Sequence, residues 1–396
     1  MNYSEILNRR IAAVPPSGIR KFFDIVSEMK DVISLGVGEP DFNTPWSYTD
    51  AAIYSLRKGR THYTGNRGLT ELLDLIARYE EERHGVSYRP RTEIMVTVGA
   101  SEGIDLALRA VIEPGDEVIV PDPSYVSYMP GVVFSNGVAV PAATRMEDGF
   151  RLTPEALRAA ITPRTKALIL PYPNNPTGAI MSRQDMEAIA AVLRGTNIIA
   201  ISDEIYSELN YTGQGHVSFA SIPDMWERTI TLNGFSKAFA MTGWRLGYIC
   251  APRELMDVML KIHQYTIMCA PTPSQHAAIE ALRSGFANDF QDVARMVEAY
   301  NMRRRMMVEG LRQAGLSCHE PMGAFYVFPS VADTGLSSQE FCERLLFEKK
   351  VATVPGDAFG ALGEGHIRCS CAASNANIAE ALDRIGEFMA DIRARR

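Results

Sequence analysis

The chain has 396 residues, 46% of them hydrophobic and 22% charged, with 40 Lys and Arg against 47 Asp and Glu for a formal net charge of −7. A chain this long holds roughly two to three domains' worth of residues and buries about three quarters of its unfolded surface, so it needs neither disulfides nor a structural metal to fold. The acidic balance argues against a nucleic-acid or anionic-membrane partner, and 30 Gly with 22 Pro is ordinary usage that excludes a collagen-like or low-complexity chain.

The opening stretch MNYSEILNRR has no apolar signal core. No run of about 18 apolar residues follows anywhere, and a soluble, cytoplasmic protein is expected. The 6 cysteines are too sparse for a disulfide framework. Cys369 and Cys371 form C-x-C rather than C-x-x-C, and all the cysteines read as buried, reduced thiols. The histidines show no ligand spacing, so no metal site is expected.

In chain order, residues 1–45 read as an irregular arm. Ile94–Val98 reads as a strand, followed by a helix over Ser101–Ile112. Glu117–Val120, Lys166–Leu170, Ile198–Ser202, Thr229–Asn233 and Gly247–Cys250 are further strands. Several are continuously apolar, as strands are when both sheet faces are covered. Ser182–Leu193 reads as a helix with Ser182 as its N-cap and Asp185 in its first turn. A long helix spans about Asn288–Gly310, followed by a strand over Gly323–Pro329, a helix over Ser338–Glu348 and a strand over His366–Cys371. The βα alternation predicts an α/β fold with a mostly parallel central sheet covered by helices. Residues 46–287 form its large domain. The arm 1–45 and residues 288–396 form a smaller α+β domain.

The chemistry-bearing residues stand directly after the strands, where open α/β sheets bind ligands. Gly99-Ala100-Ser101 follows the first strand, Pro123-Ser124-Tyr125 the second, Asn174-Asn175-Pro176 the third, Asp203 and Tyr206 the fourth, Ser236-Lys237 the fifth. A lysine amine forms a Schiff base with a carbonyl. A carboxylate keeps a pyridine nitrogen protonated, because adjacent negative charge favours the cation. Tyr and Asn donate hydrogen bonds to a phenolate oxygen, an aromatic ring stacks on a planar heterocycle, and a helix N-terminus holds a phosphate. Together these describe a site for pyridoxal 5'-phosphate.

The strings SLGVGEPDF, HYTGNRGL, PNNPTG, SDEIY, NGFSKAFAMTGWRLGY and HIRCS run in order over nearly the whole chain. They resemble the class I/II, fold-type I, pyridoxal-phosphate-dependent aminotransferases, in particular the prokaryotic aspartate and aromatic branch. The resemblance implies an enzyme that moves an amino group between an L-amino acid and a 2-oxo acid by ping-pong kinetics. It makes Lys237 the Schiff-base lysine, Asp203 the partner of the ring nitrogen, Tyr206 and Asn175 donors to the ring oxygen, and Tyr125 the stacking ring. The amides of Ala100 and Ser101, with Ser236 and Arg245, become the phosphate cup. Arg368, helped by Gly38, becomes the clamp for the substrate α-carboxylate. Tyr63 becomes a residue that reaches the neighbouring subunit's phosphate, which implies a homodimer. Two departures stand out: Gly234 replaces a hydroxyl of the family's S-x-S-K string, and Ser101 replaces a lysine that reads a distal carboxylate in some relatives.

Alternatives share parts of this set. A C–S β-lyase on the same fold would use Lys237 and Asp203 equally. Gly99-Ala100-Ser101-Glu102-Gly103 also matches the G-x-S-x-G nucleophile elbow, with Asp203 and either His319 or His366 as partners; a hydrolase would leave Lys237, Tyr206, Asn175 and Arg245 without a task. Aspartate, aromatic and diaminopimelate-type amino acids are the candidate substrates. Family position puts the side-chain pocket at Val14–Ile19 and Tyr265–Thr272.

Overall fold

The computed structural model describes residues 1–16, 18 and 29–395. Its strands are β1 (Ile33–Ser34), β2 (Ile94–Thr97), β3 (Glu117–Asp122), β4 (Val138–Ala143), β5 (Thr165–Leu170), β6 (Ile199–Asp203), β7 (Thr229–Gly234), β8 (Gly247–Cys250), β9 (Tyr326–Val327), β10 (Val351–Ala352), β11 (Val354–Pro355) and β12 (Ile367–Ser370). Seven of them form one sheet in the order β2-β8-β7-β6-β5-β3-β4. All neighbours are parallel except β8, which runs antiparallel to both β2 and β7.

Successive side chains of a strand point to opposite faces, and both faces of this sheet are packed. Ala167, Ile169 and Ile201 join one core with Ile104 and Leu108 of the helix Gly99–Val111. Leu168, Leu170 and Ala200 join another with Ile189 and Leu193 of the helix Arg183–Leu193. This explains why β5 and β6 read as unbroken apolar runs. The sheet ends differently at its two edges. β4 is partly exposed and carries Pro141, which has no N–H to donate, while on β2 the Val96 amide already donates to the Arg67 carbonyl at 2.9 Å.

A third core is built from the C-terminal part. The helices Gln291–Gln313, Ser338–Lys349 and Asn375–Ala394 enclose Tyr300, Phe325, Phe341 and Phe388. The antiparallel sheet β11-β12-β9 lies with them. The N-terminal segment enters this core through Leu35, just after β1, whose residues Ile33 and Ser34 pair in parallel with Val351 and Ala352 of β10. Among its described residues the segment expected to be irregular therefore carries the strand β1 and the four-residue helices Tyr3–Ile6 and Arg9–Ala12. Ser17 and Ile19, in the pocket segment expected at Val14–Ile19, lie outside the described residues. The strand expected over Gly323–Pro329 shrinks to Tyr326–Val327, because the backbone turns at Ala324 with φ +53°.

The helix Arg183–Leu193 starts as its sequence predicts. Ser182 Oγ accepts from the Asp185 amide at 3.2 Å, and Asp185 Oδ2 accepts from the Ser182 amide at 2.9 Å, a reciprocal capping box. Ser182→Ala should cost about 1 kcal/mol of stability with cofactor binding unchanged; urea unfolding of the two proteins measures it.

Candidate active site

The carboxyl ends of β3, β5, β6 and β7 converge as expected. Asp203 is the last residue of β6 and is 5% exposed. Burial pushes its carboxyl up to about 6, although it accepts from Tyr128 Oη at 2.8 Å and from the Ile205 amide at 3.2 Å, both of which favour the carboxylate. Lys237 follows β7 by three residues. Its Nζ donates to the Gly38 carbonyl at 2.7 Å and lies 5.7 Å from the ring centroids of Tyr206 and Phe325. Burial, and then the nearby Arg368 guanidinium, bring the Lys237 amine down to about 8 against the opposing pull of Glu39 and Asp203. The amine is then neutral and nucleophilic above about pH 8, well below where an exposed lysine would be.

On one side of Lys237 the chain builds an anion cradle. The helix Gly99–Val111 begins directly after β2, which leaves the amides of its first turn, Ala100 and Ser101 among them, without partners in the helix. Gly99 has φ +70°, and a Cβ there would stand 2.7 Å from an Arg245 guanidinium nitrogen. A Cβ on Gly247 would stand 2.6 Å from the Ala100 nitrogen. These bare positions let Arg245, itself left-handed at φ +50°, lie against the start of the helix. Ser236 is buried beside Lys237. The same packing explains Gly234: it pairs with Gly247 across β7 and β8, and a Cβ on it would come within 2.8 Å of the Gly247 Cα. A hydroxyl-bearing side chain has no room there.

On the other side stands Arg368, in β12 and 2% exposed. It donates to Asn175 Oδ1 at 2.9 Å and to the Gly36 carbonyl at 2.6 Å, while its buried Nε has no partner. Its guanidinium lies 4.4 Å from the Tyr326 ring centroid and 4.9 Å from that of Phe359. Tyr206 Oη is 3.0 Å from Tyr326 Oη, and the Tyr125 ring meets Tyr128 edge-on at 5.5 Å. Gly38 sits against Arg368 as expected, with a Cβ position 3.8 Å from the guanidinium, but its carbonyl is engaged by Lys237. Tyr63 hydrogen-bonds to none of these residues and is 81% exposed.

The site also contains residues that the sequence did not single out. Tyr128 opens the short helix Tyr128–Phe134 and reads like any packing residue of SYVSY, yet it holds Asp203. Tyr326 and Phe359 sandwich Arg368 from segments that read only as strand and loop. Ser101 is exposed and has no histidine partner among the described residues. His263 bonds to Glu102 instead, and His319 and His366 pack against Phe150. The nucleophile-elbow reading thus lacks its relay.

Three features fit pyridoxal phosphate: a lowered lysine amine close enough to a buried carboxylate for each to bias the other's protonation, an anion cradle kept open by Gly99 and Gly247, and a buried guanidinium with an unpartnered donor. A family model described as aminotransferase class I and II matches residues 30–385. The chain is 48% identical over 383 residues to a putative aminotransferase, YugH, of Bacillus subtilis, covering 97% of this chain and 98% of that one. It is 44% identical to an aspartate aminotransferase of Pyrococcus abyssi and 42% identical to aromatic-amino-acid aminotransferase 2 of Thermococcus litoralis, each over 97% of this chain and 98% of the relative. Among solved structures, a Pyrococcus protein designated A1 superposes with a TM-score of 0.95 at 44% identity, covering 97% of this chain and 99% of that one.

Two outcomes follow from this geometry. In the cofactor-free chain, trapping of the Lys237 amine by an aldehyde and borohydride should rise through a midpoint near pH 8, since the amine is neutral above that value and charged below it; peptide mass spectrometry reads the profile, and a midpoint near that of exposed lysines would contradict the geometry. Gly234→Ser should destabilise the fold by about 1–3 kcal/mol in denaturant unfolding, with no gain in cofactor affinity.

Proposed function

Because this chain belongs to the class I and II aminotransferases, enzymes that use pyridoxal phosphate, we propose that Lys237 is the residue that holds this cofactor covalently and that the side chains around it carry the transamination. The observation that carries the reading is the place of the Lys237 amine, 5.7 Å from the Tyr206 ring centroid and within the influence of the buried Asp203 and Arg368 and of Arg245; burial and the two guanidinium groups lower it. When bound, the cofactor supplies an electron sink for the charge that develops as a substrate loses its Cα proton.

The chain's own residues supply the rest. Asp203, aimed by Tyr128, is the carboxylate that would hold a proton on the cofactor's ring nitrogen. Tyr206 and Asn175 would donate to the ring oxygen; Asn175 has its Oδ1 occupied by Arg368, which leaves its amide N–H groups for that task. Tyr125 stacks on the ring. The Ala100 and Ser101 amides, the Ser236 hydroxyl and the Arg245 guanidinium hold the phosphate. Arg368 pairs with the substrate α-carboxylate, beside Gly38, and fixes the Cα near Lys237. Lys237, neutral above about pH 8, would serve as the base that takes the Cα proton of a substrate held beside it. Because one Arg368 serves both substrates, the 2-oxo acid product must leave before the second 2-oxo acid enters, which is ping-pong order.

The same reading includes a homodimer in which Tyr63 reaches the partner's phosphate. Its support is the exposure of Tyr63, together with Tyr265 at 94% and Trp46 at 72%, a large amount of aromatic surface for a lone chain. It also includes the division into an arm of residues 1–45, a large part 46–287 and a C-terminal part 288–396, supported by the distinct core that β1, β10 and the last three helices share. Free cysteines at all 6 positions support a reducing, cytoplasmic setting. Aspartate, aromatic and diaminopimelate-type amino acids stay as the substrate classes.

Lys237→Ala should abolish both turnover and the visible band of the lysine–cofactor Schiff base; survival of either refutes the assignment. Arg368→Leu should raise the KM for amino acids on the order of 10²-fold. In single-turnover mixing of the wild type, the band should respond to amino acids with a free α-carboxylate and not to their amides.

A further inference from the structure

Tyr326, on β9, is 1% exposed and touches two of the groups assigned above. Its hydroxyl lies 3.0 Å from Tyr206 Oη, and its ring lies 4.4 Å from the Arg368 guanidinium. Its position is fixed. Phe325 packs on its ring at 4.7 Å, Tyr206 meets it edge-on at 5.9 Å, and its hydroxyl is 3.2 Å from where a Cβ on Gly38 would stand.

Two hydroxyls 3.0 Å apart share one hydrogen bond, and only one of them donates it. If Tyr206 directs its O–H to the ring oxygen, the Tyr206 oxygen must be the acceptor and Tyr326 the donor. The direction is then set from Tyr326 to Tyr206 to the ring oxygen. A hydroxyl that accepts a hydrogen bond becomes a stronger donor in turn. The ring of Tyr326 does something separate: its π-face attracts the guanidinium and holds it flat for a carboxylate.

We propose that Tyr326 is a positioning residue with two separable functions, its hydroxyl polarising Tyr206 and its ring seating Arg368. The inference rests on the roles of Tyr206 and Arg368 proposed above. The other titratable groups that face Tyr206 are Arg368 from β12, Lys237 after β7, and Tyr125 and Tyr128 after β3. None of them is altered by a change confined to the Tyr326 oxygen.

Three variants of the holoenzyme separate the functions: Tyr326→Phe, Tyr326→Leu and, as reference, Tyr206→Phe. The readouts are the midpoint of the visible band in a pH titration, and KM and kcat for one amino acid. Loss of a donor to the ring oxygen destabilises its anionic form, so Tyr206→Phe should move the midpoint up. Tyr326→Phe should move it up by less and leave KM within about twofold, because the ring stays under Arg368. Tyr326→Leu should move the midpoint as Tyr326→Phe does and also raise KM about fivefold. A midpoint unmoved in Tyr326→Phe but moved in Tyr206→Phe overturns the hydroxyl function alone. A KM unmoved in Tyr326→Leu overturns the ring function. A midpoint unmoved in Tyr206→Phe overturns the Tyr206 assignment and the hydroxyl function with it. Tyr326→Phe keeps the packing of the wild type, so if Tyr326→Leu does not fold, a KM raised more than about twofold in Tyr326→Phe still overturns the separation.

Discussion

A guanidinium buried to 2% exposure must find acceptors or lose several kcal/mol of solvation. Arg368 finds them in three places far apart in sequence: the Gly36 carbonyl after β1, Asn175 after β5, and the aromatic faces of Tyr326 and Phe359 from the C-terminal part. Meeting that one requirement joins the N-terminal segment, the large sheet and the small sheet at a single point. Phe359 is held in turn by its carbonyl, which accepts from the Ser124 amide at 2.9 Å just beyond β3. The segment after β1 continues the connection. Gly38 accepts from Lys237, Glu39 from Thr242, and Asp41 from Arg303 of the helix Gln291–Gln313, each at 2.7–2.9 Å.

The strand period gives Asp203 its setting. Asp203 and Glu204 are adjacent, and the chain sends their carboxylates to different surroundings. Asp203 faces the site, where burial dominates and raises it. Burial would raise Glu204 too, but His216 at 2.8 Å and His84 behind it hold that carboxyl below its ordinary range, and Ser202, Ser218 and the Phe219 amide also donate to it. Glu204 therefore remains an anion fastened to the rear of the sheet. The turn that carries Asp203 and Tyr206 is anchored by that buried charge, and the repulsion from it adds to the rise of Asp203.

Much of this was legible in the sequence because an α/β sheet concentrates its chemistry at strand ends, and those ends follow apolar runs that read clearly. Lys237, Asp203 and Asn175 were read that way, Arg368 came only with the family resemblance, and the capping box at Ser182 was read from two residues. The sequence was less informative where the signal is three-dimensional. Tyr128 and Tyr326 look like ordinary packing residues until their hydroxyls are seen 2.8 and 3.0 Å from Asp203 and Tyr206. β4 went unread because an edge strand with a proline lacks the unbroken apolar pattern of its neighbours. Gly234 read as a missing hydroxyl, whereas the close approach of β7 and β8 leaves no space for one.

The two edges of the seven-stranded sheet bear on how the chain behaves at high concentration. An unpaired strand edge is a template on which another chain can extend the ladder. Here Pro141 removes a donor from one border, and at the other the Arg67 carbonyl already takes the Val96 amide. Both borders of this sheet are thereby poorer starting points for intermolecular cross-β growth than bare strands would be.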